Sequence, residues 1–422
     1  MDIKWPGLDY SLKHTESYQD LKYSLHRQII DRLEEDKVWL DEWERERIAR
    51  YVREHVTHYA AERQLAVTSY DLDGLTEEVV DELIGFGPLQ SLLADDQVND
   101  IMVNGARHIF VERGGVLNHT DLRFIDDDHV LRVIRRIVAP LGRRLDESNP
   151  MVDARLPDGS RINAIIPPLA LDGPCLSVRK FRKDPLREGD LLVYGTFNET
   201  MLEFLRRAVR LRCNILVSGG TGAGKTTLLN VLSRFIDARE RVVTIEDAAE
   251  LQLGHHHVVR LETRPPNVEG HGEVRARELV RNALRMRPDR IILGEVRGEE
   301  VMDVLQAMNT GHDGSMSTVH ANGARDALVR IEMLAGLAGF QVGTETLRQM
   351  IATAIDVVVH ITRLPDGQRR VTAIEEVVGL RDGQFVSSGL FSFDRASGRF
   401  MVGDSHPLGA KFNLQPASFP HS

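Results

Sequence analysis

The stretch Gly219-Gly220-Thr221-Gly222-Ala223-Gly224-Lys225-Thr226 constrains this chain more than any other. It meets the phosphate-loop pattern G-x-x-x-x-G-K-[ST] at every fixed position. The pattern carries weight only between a strand and a helix, and both are predicted. Asn214-Ile215-Leu216-Val217-Ser218 reads as a short buried strand entering the loop. Thr227 to Ile236 reads as a helix leaving it, with Leu228, Leu232, Phe235 and Ile236 on one face. Gly219, Gly220, Gly222 and Gly224 let the backbone curl so that its N–H groups face phosphate oxygens. The helix that follows adds the positive end of its dipole. Lys225 is placed to reach the β- and γ-phosphates, and the Thr226 hydroxyl to bind Mg²⁺. A glycine-rich turn holding a lysine by chance is the bland alternative, and the flanking strand and helix argue against it.

Length and composition bound the rest. A chain of 422 residues predicts two or three domains. The formal net charge of −10 argues against a dedicated nucleic-acid binder, though not against a local basic patch. Cys175 and Cys213 give neither metal-site spacing nor a disulfide framework, so a reducing compartment is expected. No run approaches the roughly 20 apolar residues of a membrane span. A cytoplasmic protein is expected, with any membrane role peripheral.

Along the chain, residues 1–75 read as a small helical module. Leu21, Leu25, Ile29 and Leu33 fall four apart, and a second series runs Leu40, Trp43, Ile48, Val52, Val56 and Tyr59. Residues 76–183 alternate strand-like segments with a helix from His129 to Ala139, which predicts an α+β domain. Residues 184–197 read as a linker. Residues 198–403 alternate helix and strand, with buried strands at Val242–Ile245 and Ile291–Leu293, and imply a parallel sheet with its site at the strands' C-terminal ends. After Ile361, turns at Pro365-Asp366-Gly367, Asp382-Gly383 and Ser397-Gly398 predict a hairpin meander. Residues 404–422 read as a disordered tail.

Acids stand where the predicted parallel strands end: Glu246-Asp247 with Glu250 after one, Gly294-Glu295 after the other. There they could bind Mg²⁺ or orient a water for attack on the γ-phosphate. Many phosphate-loop enzymes place an Asp on the second strand, and Gly294-Glu295 closes this one without it. Metal binding is therefore expected to rest on Thr226, Glu246 and Asp247, with Glu250 near. Helix capping or arginine pairing is the alternative role for each acid. The segment Gly311 to Asn322 is too polar for a core strand and is expected to form a loop near the γ-phosphate, where His320 could sense hydrolysis. Arg277, Arg281 and Arg285 fall four apart on one helix face, either solvated or at a subunit boundary. Arg155, Arg161 and Arg179 sit on strand-like segments of the preceding domain, and an arginine delivered from there could stabilise charge at the γ-phosphate.

This ordered set resembles the secretion-ATPase superfamily that powers type II and type IV secretion and type IV pili. Ser218–Thr227 is similar to its Walker A segment and Thr244–Leu251 to its aspartate box. Arg287–Arg297, with Gly294 before Glu295, is similar to its Walker B segment, and Thr310–Asn322 to its histidine box. The branch that looks nearest is the Tad/Flp pilus assembly ATPases, on Leu156–Ala164 and Ser177–Phe181. The resemblance covers roughly residues 75–380. It implies an α/β fold with a RecA-like phosphate-loop core, preceded by a PAS-like α+β domain. It also implies a homohexameric ring binding ATP and Mg²⁺ at subunit boundaries, peripheral at the inner face of the cytoplasmic membrane and partnered by platform proteins. By carry-over, residues Gly219 to Thr227 bind nucleotide, Glu295 polarises the attacking water with Glu250 assisting, His320 couples hydrolysis to movement, and Arg161 and Arg179 close on the γ-phosphate. The four-cysteine metal motif of many pilus-extension ATPases is absent. An effector-exporting type IV secretion ATPase is a rival in the same class. A nucleic-acid motor with a recombinase-like core and a non-hydrolysing nucleotide-binding scaffold are rivals from other classes.

Overall fold

A computed structural model describes residues 16–35, 43–63, 68–181, 185–266, 271–339, 342–403 and 410–413. The chain divides into two compact units, Met1–Arg182 and Lys183–Ser422.

The first unit begins with three helices, α1 (Glu16–Glu35), α2 (Arg45–Glu62) and α3 (Ser69–Ile84). Their four-residue apolar spacing puts Leu25 and Ile29, Ile48, Val52 and Val56, and Leu75, Val79 and Val80 into one core. Leu75 thus belongs to the middle of α3, so the break expected at residue 75 falls inside a helix. Leu40 lies outside the described residues. A short helix α4 (Leu89–Ala94) leads to six antiparallel strands: β1 (Val98–Asn104), β2 (His108–Arg113), β3 (Val116–His119), β4 (Met151–Arg155), β5 (Arg161–Ile165) and β6 (Cys175–Arg179), in the order β3-β2-β1-β6-β5-β4. Helix α5 (Asp127–Val138) contributes Val130, Ile134 and Ile137 to the core of that sheet. Asp126 caps it, accepting from the His129 amide at 2.7 Å.

A buried charged cluster ties α1 to α3 and α5. Glu82 lies 3.0 Å from Lys22 on one oxygen and 3.0 Å from His129 on the other, and all three side chains are almost wholly buried. The His26 ring stacks on His129 at 5.9 Å. Burying a carboxylate is tolerable only with this much pairing.

The second unit is built on nine strands. After α6 (Glu188–Val193) and α7 (Glu199–Arg210) come β7 (Ile215–Gly219), α8 (Lys225–Ser233), β8 (Val242–Glu246), β9 (Val258–Glu262), α9 (Ala276–Ala283), β10 (Arg290–Leu293), α10 (Glu300–Asn309), β11 (Met316–His320), α11 (Ala324–Leu337) and α12 (Thr344–Ala354). Then follow β12 (Val357–Arg363), β13 (Arg369–Arg381), β14 (Gln384–Asp394), β15 (Arg399–Val402) and a last turn of helix, α13 (Ala410–Asn413). The order is β15-β14-β13-β12-β7-β11-β10-β8-β9. The stretch β12-β7-β11-β10-β8-β9 is parallel, and β13 to β15 form an antiparallel meander. With the loop strand β7 between β12 and β11, this is the RecA-like arrangement. Strands β7, β8 and β10 are buried at every residue, as a sheet covered on both faces requires.

Two expectations change. The segment taken for a polar loop contains β11, which sits at the centre of the sheet between β7 and β10. Its polar residues are buried but satisfied: Thr318 Oγ1 donates to Gly294 O at 2.8 Å and Ser317 Oγ to Thr318 O at 3.4 Å. The tail is not featureless either. Phe412 stacks on Phe204 at 5.5 Å, and Lys411 Nζ lies 2.8 Å from both Asp313 and Asp356.

The His26 cluster fixes a pH dependence. Burial pushes the His26 pKa down to about 4, against the upward pull of Glu82 and with His129, Arg132 and Lys22 adding to the fall. The unfolded ring protonates near 6.5, so its share of stability is complete above that value and is lost as pH falls toward 4. Trp43 packs against the core of the three helices, so its fluorescence reports on the first unit. In denaturant titrations of the whole protein, the wild type should lose about 3 kcal/mol between pH 7 and pH 4 that a His26→Leu variant does not lose.

Candidate nucleotide site

Strand β7 delivers the chain to the loop at Gly219, which is buried beside β12. A Cβ at Gly219 would press into the carbonyl oxygen of Ile361, closer than real atoms approach. Gly222 and Gly224 hold φ of +68° and +100°, so two turns of the loop need glycine. Gly224 starts α8, with its carbonyl accepting from the Leu228 amide at 2.9 Å. Gly220, Thr221 and Gly222 form an exposed crest, Ala223 is buried beneath it, and Thr226 and Thr227 are half-buried in the first helical turn. The helix N-terminus favours an anion at this crest. Lys225 is buried, and its Nζ donates to Gly219 O at 3.1 Å and Gly220 O at 3.0 Å.

The strand register brings the acids and the histidine to the same end. His320 pairs with Gly219 across β11 and β7, while Leu293 pairs with Ile245 across β10 and β8. From Lys225 a chain of charged contacts runs across three strand ends. Lys225 Nζ lies 3.4 Å from His320 Nε2, which lies 3.1 Å from Glu295 Oε1. Glu295 Oε2 accepts from Arg297 Nη2 at 2.8 Å, and Arg297 Nη1 reaches Asp247 Oδ2 at 3.2 Å. Burial holds the Lys225 pKa below its ordinary value, with Glu295 pulling it back. Burial also lowers His320, and Lys225 adds to the shift, so the ring is neutral at pH 7. The Arg297 pKa is raised, chiefly by its hydrogen bond to Glu295.

A model of the family described as "Type II/IV secretion system protein" matches residues 82–408. The chain belongs to that family of secretion ATPases. A putative conjugal transfer protein of Mycobacterium tuberculosis is 42% identical over 299 residues, 69% of this chain and 84% of the relative. The conjugal transfer protein TrbB of Rhizobium radiobacter is 32% identical over 299 residues, 69% of this chain and 88% of the relative. A crystal structure of the VirB11 ATPase from the Brucella suis type IV secretion system, in complex with sulphate, is 28% identical. It covers 68% of this chain and 95% of that one, with a TM-score of 0.38.

In this secretion-family chain the Gly before Glu295 has a steric reason. A Cβ at Gly294 would lie 3.0 Å from Glu246 Cγ, so Glu246 occupies the space an Asp would need. One oxygen of Glu246 is occupied and the other is buried without a hydrogen-bond partner. Its Oε2 accepts from the Glu250 and Leu251 amides at 2.7 and 2.8 Å, and burial raises its pKa. Asp247 is exposed but paired with Arg297. Among the described residues no three His, Cys, Asp or Glu side chains gather as a metal cage. The residues present therefore leave the Thr226 hydroxyl and Glu246 Oε1 as candidate metal oxygens, whereas Asp247 is held by Arg297. Glu250 is half-buried and close enough to raise the Lys225 pKa. Arg277 is tied within the unit to Glu299 and Asp303, each at 3.0 Å. Arg161 and Arg179 are cross-strand neighbours on β5 and β6 of the first unit, with Arg179 2.9 Å from Asp100. Sequence reasoning assigned no role to Arg297; its position two residues after Glu295, beyond the strand end, was the available signal.

The contact chain predicts how His320 titrates. By NMR its ring should protonate below the ordinary 6.5. Lys225→Met should raise that midpoint and Glu295→Gln should lower it, because the cation opposes a second positive charge and the anion invites it. An unchanged midpoint in both variants would separate the three residues.

Proposed function

We propose that the chain hydrolyses ATP and that hydrolysis drives pilus assembly of the Tad/Flp type, or protein secretion, from the cytoplasmic face of the inner membrane. The observation that carries this reading is the Lys225–His320–Glu295 contact chain beside a phosphate loop. Gly219, Gly220, Thr221, Gly222, Ala223 and Gly224 cradle the phosphates with Thr226 and Thr227, and Lys225 turns its Nζ from the two loop carbonyls to the β- and γ-phosphates. Mg²⁺, held through Thr226, supplies charge neutralisation on the phosphate oxygens when bound. Glu295 polarises the attacking water, assisted by Glu250. The neutral His320 ring, lying between Lys225 and Glu295, registers a change in either and passes it to β11 and β7. Arg161 and Arg179 reach the γ-phosphate from the α+β domain as subunits close in a homohexamer. Platform proteins of the membrane take up the motion.

A relative of Brucella suis, 32% identical and named as the type IV secretion system protein VirB11, supports a second reading, export through such a system, with the same site and a different cargo. A nucleic-acid motor is disfavoured by the net charge of −10.

Glu295→Gln should lower turnover about a hundredfold or more while nucleotide affinity stays within a few-fold of wild type. Steady-state hydrolysis with Mg²⁺, with and without DNA, together with mass by light scattering, checks this. Full turnover in the variant would remove Glu295 from its role, and strong DNA stimulation would favour the nucleic-acid motor.

A further inference from the structure

Beneath the phosphate loop lies a buried polar network centred on His360, a residue outside every motif of the sequence. Ser218, the last residue before Gly219, is wholly buried, and His360 pairs with it across β7 and β12. Ser218 Oγ lies 2.9 Å from His360 Nδ1. The other ring nitrogen, Nε2, lies 3.2 Å from Thr362 Oγ1, which lies 3.1 Å from Thr372 Oγ1. Thr372 Oγ1 closes the circuit by donating to His360 O at 3.4 Å. Strand β13 makes this possible, because it carries Thr372 as an extra residue between Val371, opposite Ile361, and Ala373, opposite His360. Such a bulge re-aims a side chain.

Counting protons fixes the state of the ring. Each threonine hydroxyl has one proton to give. Thr372 gives its proton to the His360 carbonyl, so Thr362 gives its own to Thr372 and accepts from His360 Nε2–H. Burial lowers the His360 pKa, with Asp326 opposing and Arg395 adding to the fall, so the ring is neutral at pH 7 and Nδ1 carries no proton. Nδ1 therefore accepts from the Ser218 hydroxyl. Every polar side-chain atom of the network then has a partner, as burial requires.

The network meets the loop at its root. Ile361, next to His360 on β12, sets its carbonyl against Gly219 and its Cγ2 3.2 Å from where a Cβ of Gly219 would stand. Its Cδ1 lies 3.6 Å from the same place on Gly224. Lys225 Nζ in turn donates to Gly219 O and Gly220 O. A shift of Ser218 would therefore move Gly219, and with it one of the two oxygens that hold the lysine.

We infer that His360 is a positioning residue of the nucleotide site: it keeps its proton on Nε2, accepts from Ser218 on Nδ1, and so fixes where the phosphate loop leaves the sheet. It acts through Ser218. The inference rests on the nucleotide-site reading above. A ring that merely filled the core would, when replaced by an apolar side chain of similar bulk, leave the affinity for nucleotide unchanged.

The test is the affinity of the whole protein for a fluorescent ADP and for a non-hydrolysable ATP analogue, with steady-state hydrolysis and unfolding temperature measured alongside. His360→Leu should weaken both ligands about tenfold, the worth of one buried hydrogen bond, and the loss should appear in KM rather than in kcat. Ser218→Ala should do the same. The double variant should be no weaker than either single, because both remove one contact. His360→Asn sets its Oδ1 where Nδ1 stood and should bring affinity back toward wild type, whatever its unfolding temperature. Wild-type affinity in His360→Leu, alongside lost affinity in Lys225→Ala, would overturn the inference and leave the nucleotide site standing. Losses that multiply in the double variant would overturn it too. Should His360→Leu fail to fold, wild-type affinity in Ser218→Ala would overturn it equally. No binding by the wild type would overturn the site reading and this inference with it.

Discussion

Parallel pairing of β7 between β11 and β12 is the constraint on which the second unit depends. It sets Gly219 beside His320 on one side and against Ile361 on the other. Both neighbours act on a residue without a side chain. The close approach of Ile361 fixes where the loop leaves the sheet, and the register with β11 fixes which side chain faces the lysine. Because β10 follows β11 in the sheet and β8 follows β10, Glu295 and Asp247 arrive at the same end without further design. The foot of the same strands is pinned by Asn214. Its side chain accepts from the Gly314 and Ser315 amides at 2.8 and 3.0 Å and donates to Ala354 O at 2.7 Å. Removing it would leave several buried backbone groups unpaired, each costing about 1–3 kcal/mol.

Burial then gives these neighbours their chemistry. Lys225 in the open would be one more surface cation. Enclosed beneath the crest, it depends on carbonyl oxygens, and its effect on His320 is weakly screened. The histidine stays neutral although it touches Glu295, because burial and the lysine together outweigh the carboxylate. A neutral ring between a cation and an anion is sensitive to either being withdrawn, which is the property a coupling residue needs.

The loop, its strand and helix, and strands β8 and β10 were legible in sequence because strongly apolar runs stood next to glycines with a geometric purpose. Strand β11 was not legible. Met316-Ser317-Thr318-Val319-His320 carries polar residues that are satisfied by neighbouring carbonyls, and apolar periodicity does not register that kind of burial. At the end of β8 the Glu246 carboxylate is divided in a way apolar periodicity does not register either: two amides of the following turn hold Oε2, and Oε1 is buried without a partner. Helix α3 starts before Leu75, and Leu72 of its first turn already packs against the same core; Gly74, a poor helix former, stands between them in the sequence.

The state of Glu295 gives the site an internal balance. One oxygen faces His320 and the other is held by Arg297, which also holds Asp247 on the neighbouring strand. Both oxygens of the carboxylate are thus engaged by side chains of this site. For Glu295 to orient a water, one of these contacts has to loosen. Arg297 is the more exposed partner and has Asp247 to retain it, so releasing it costs less than breaking the half-buried His320 contact. Loosening Arg297 leaves Glu295 joined to β11 through His320, so in the hydrolysis we propose, activation of the water and the signal to the sheet would pass through the same side chain.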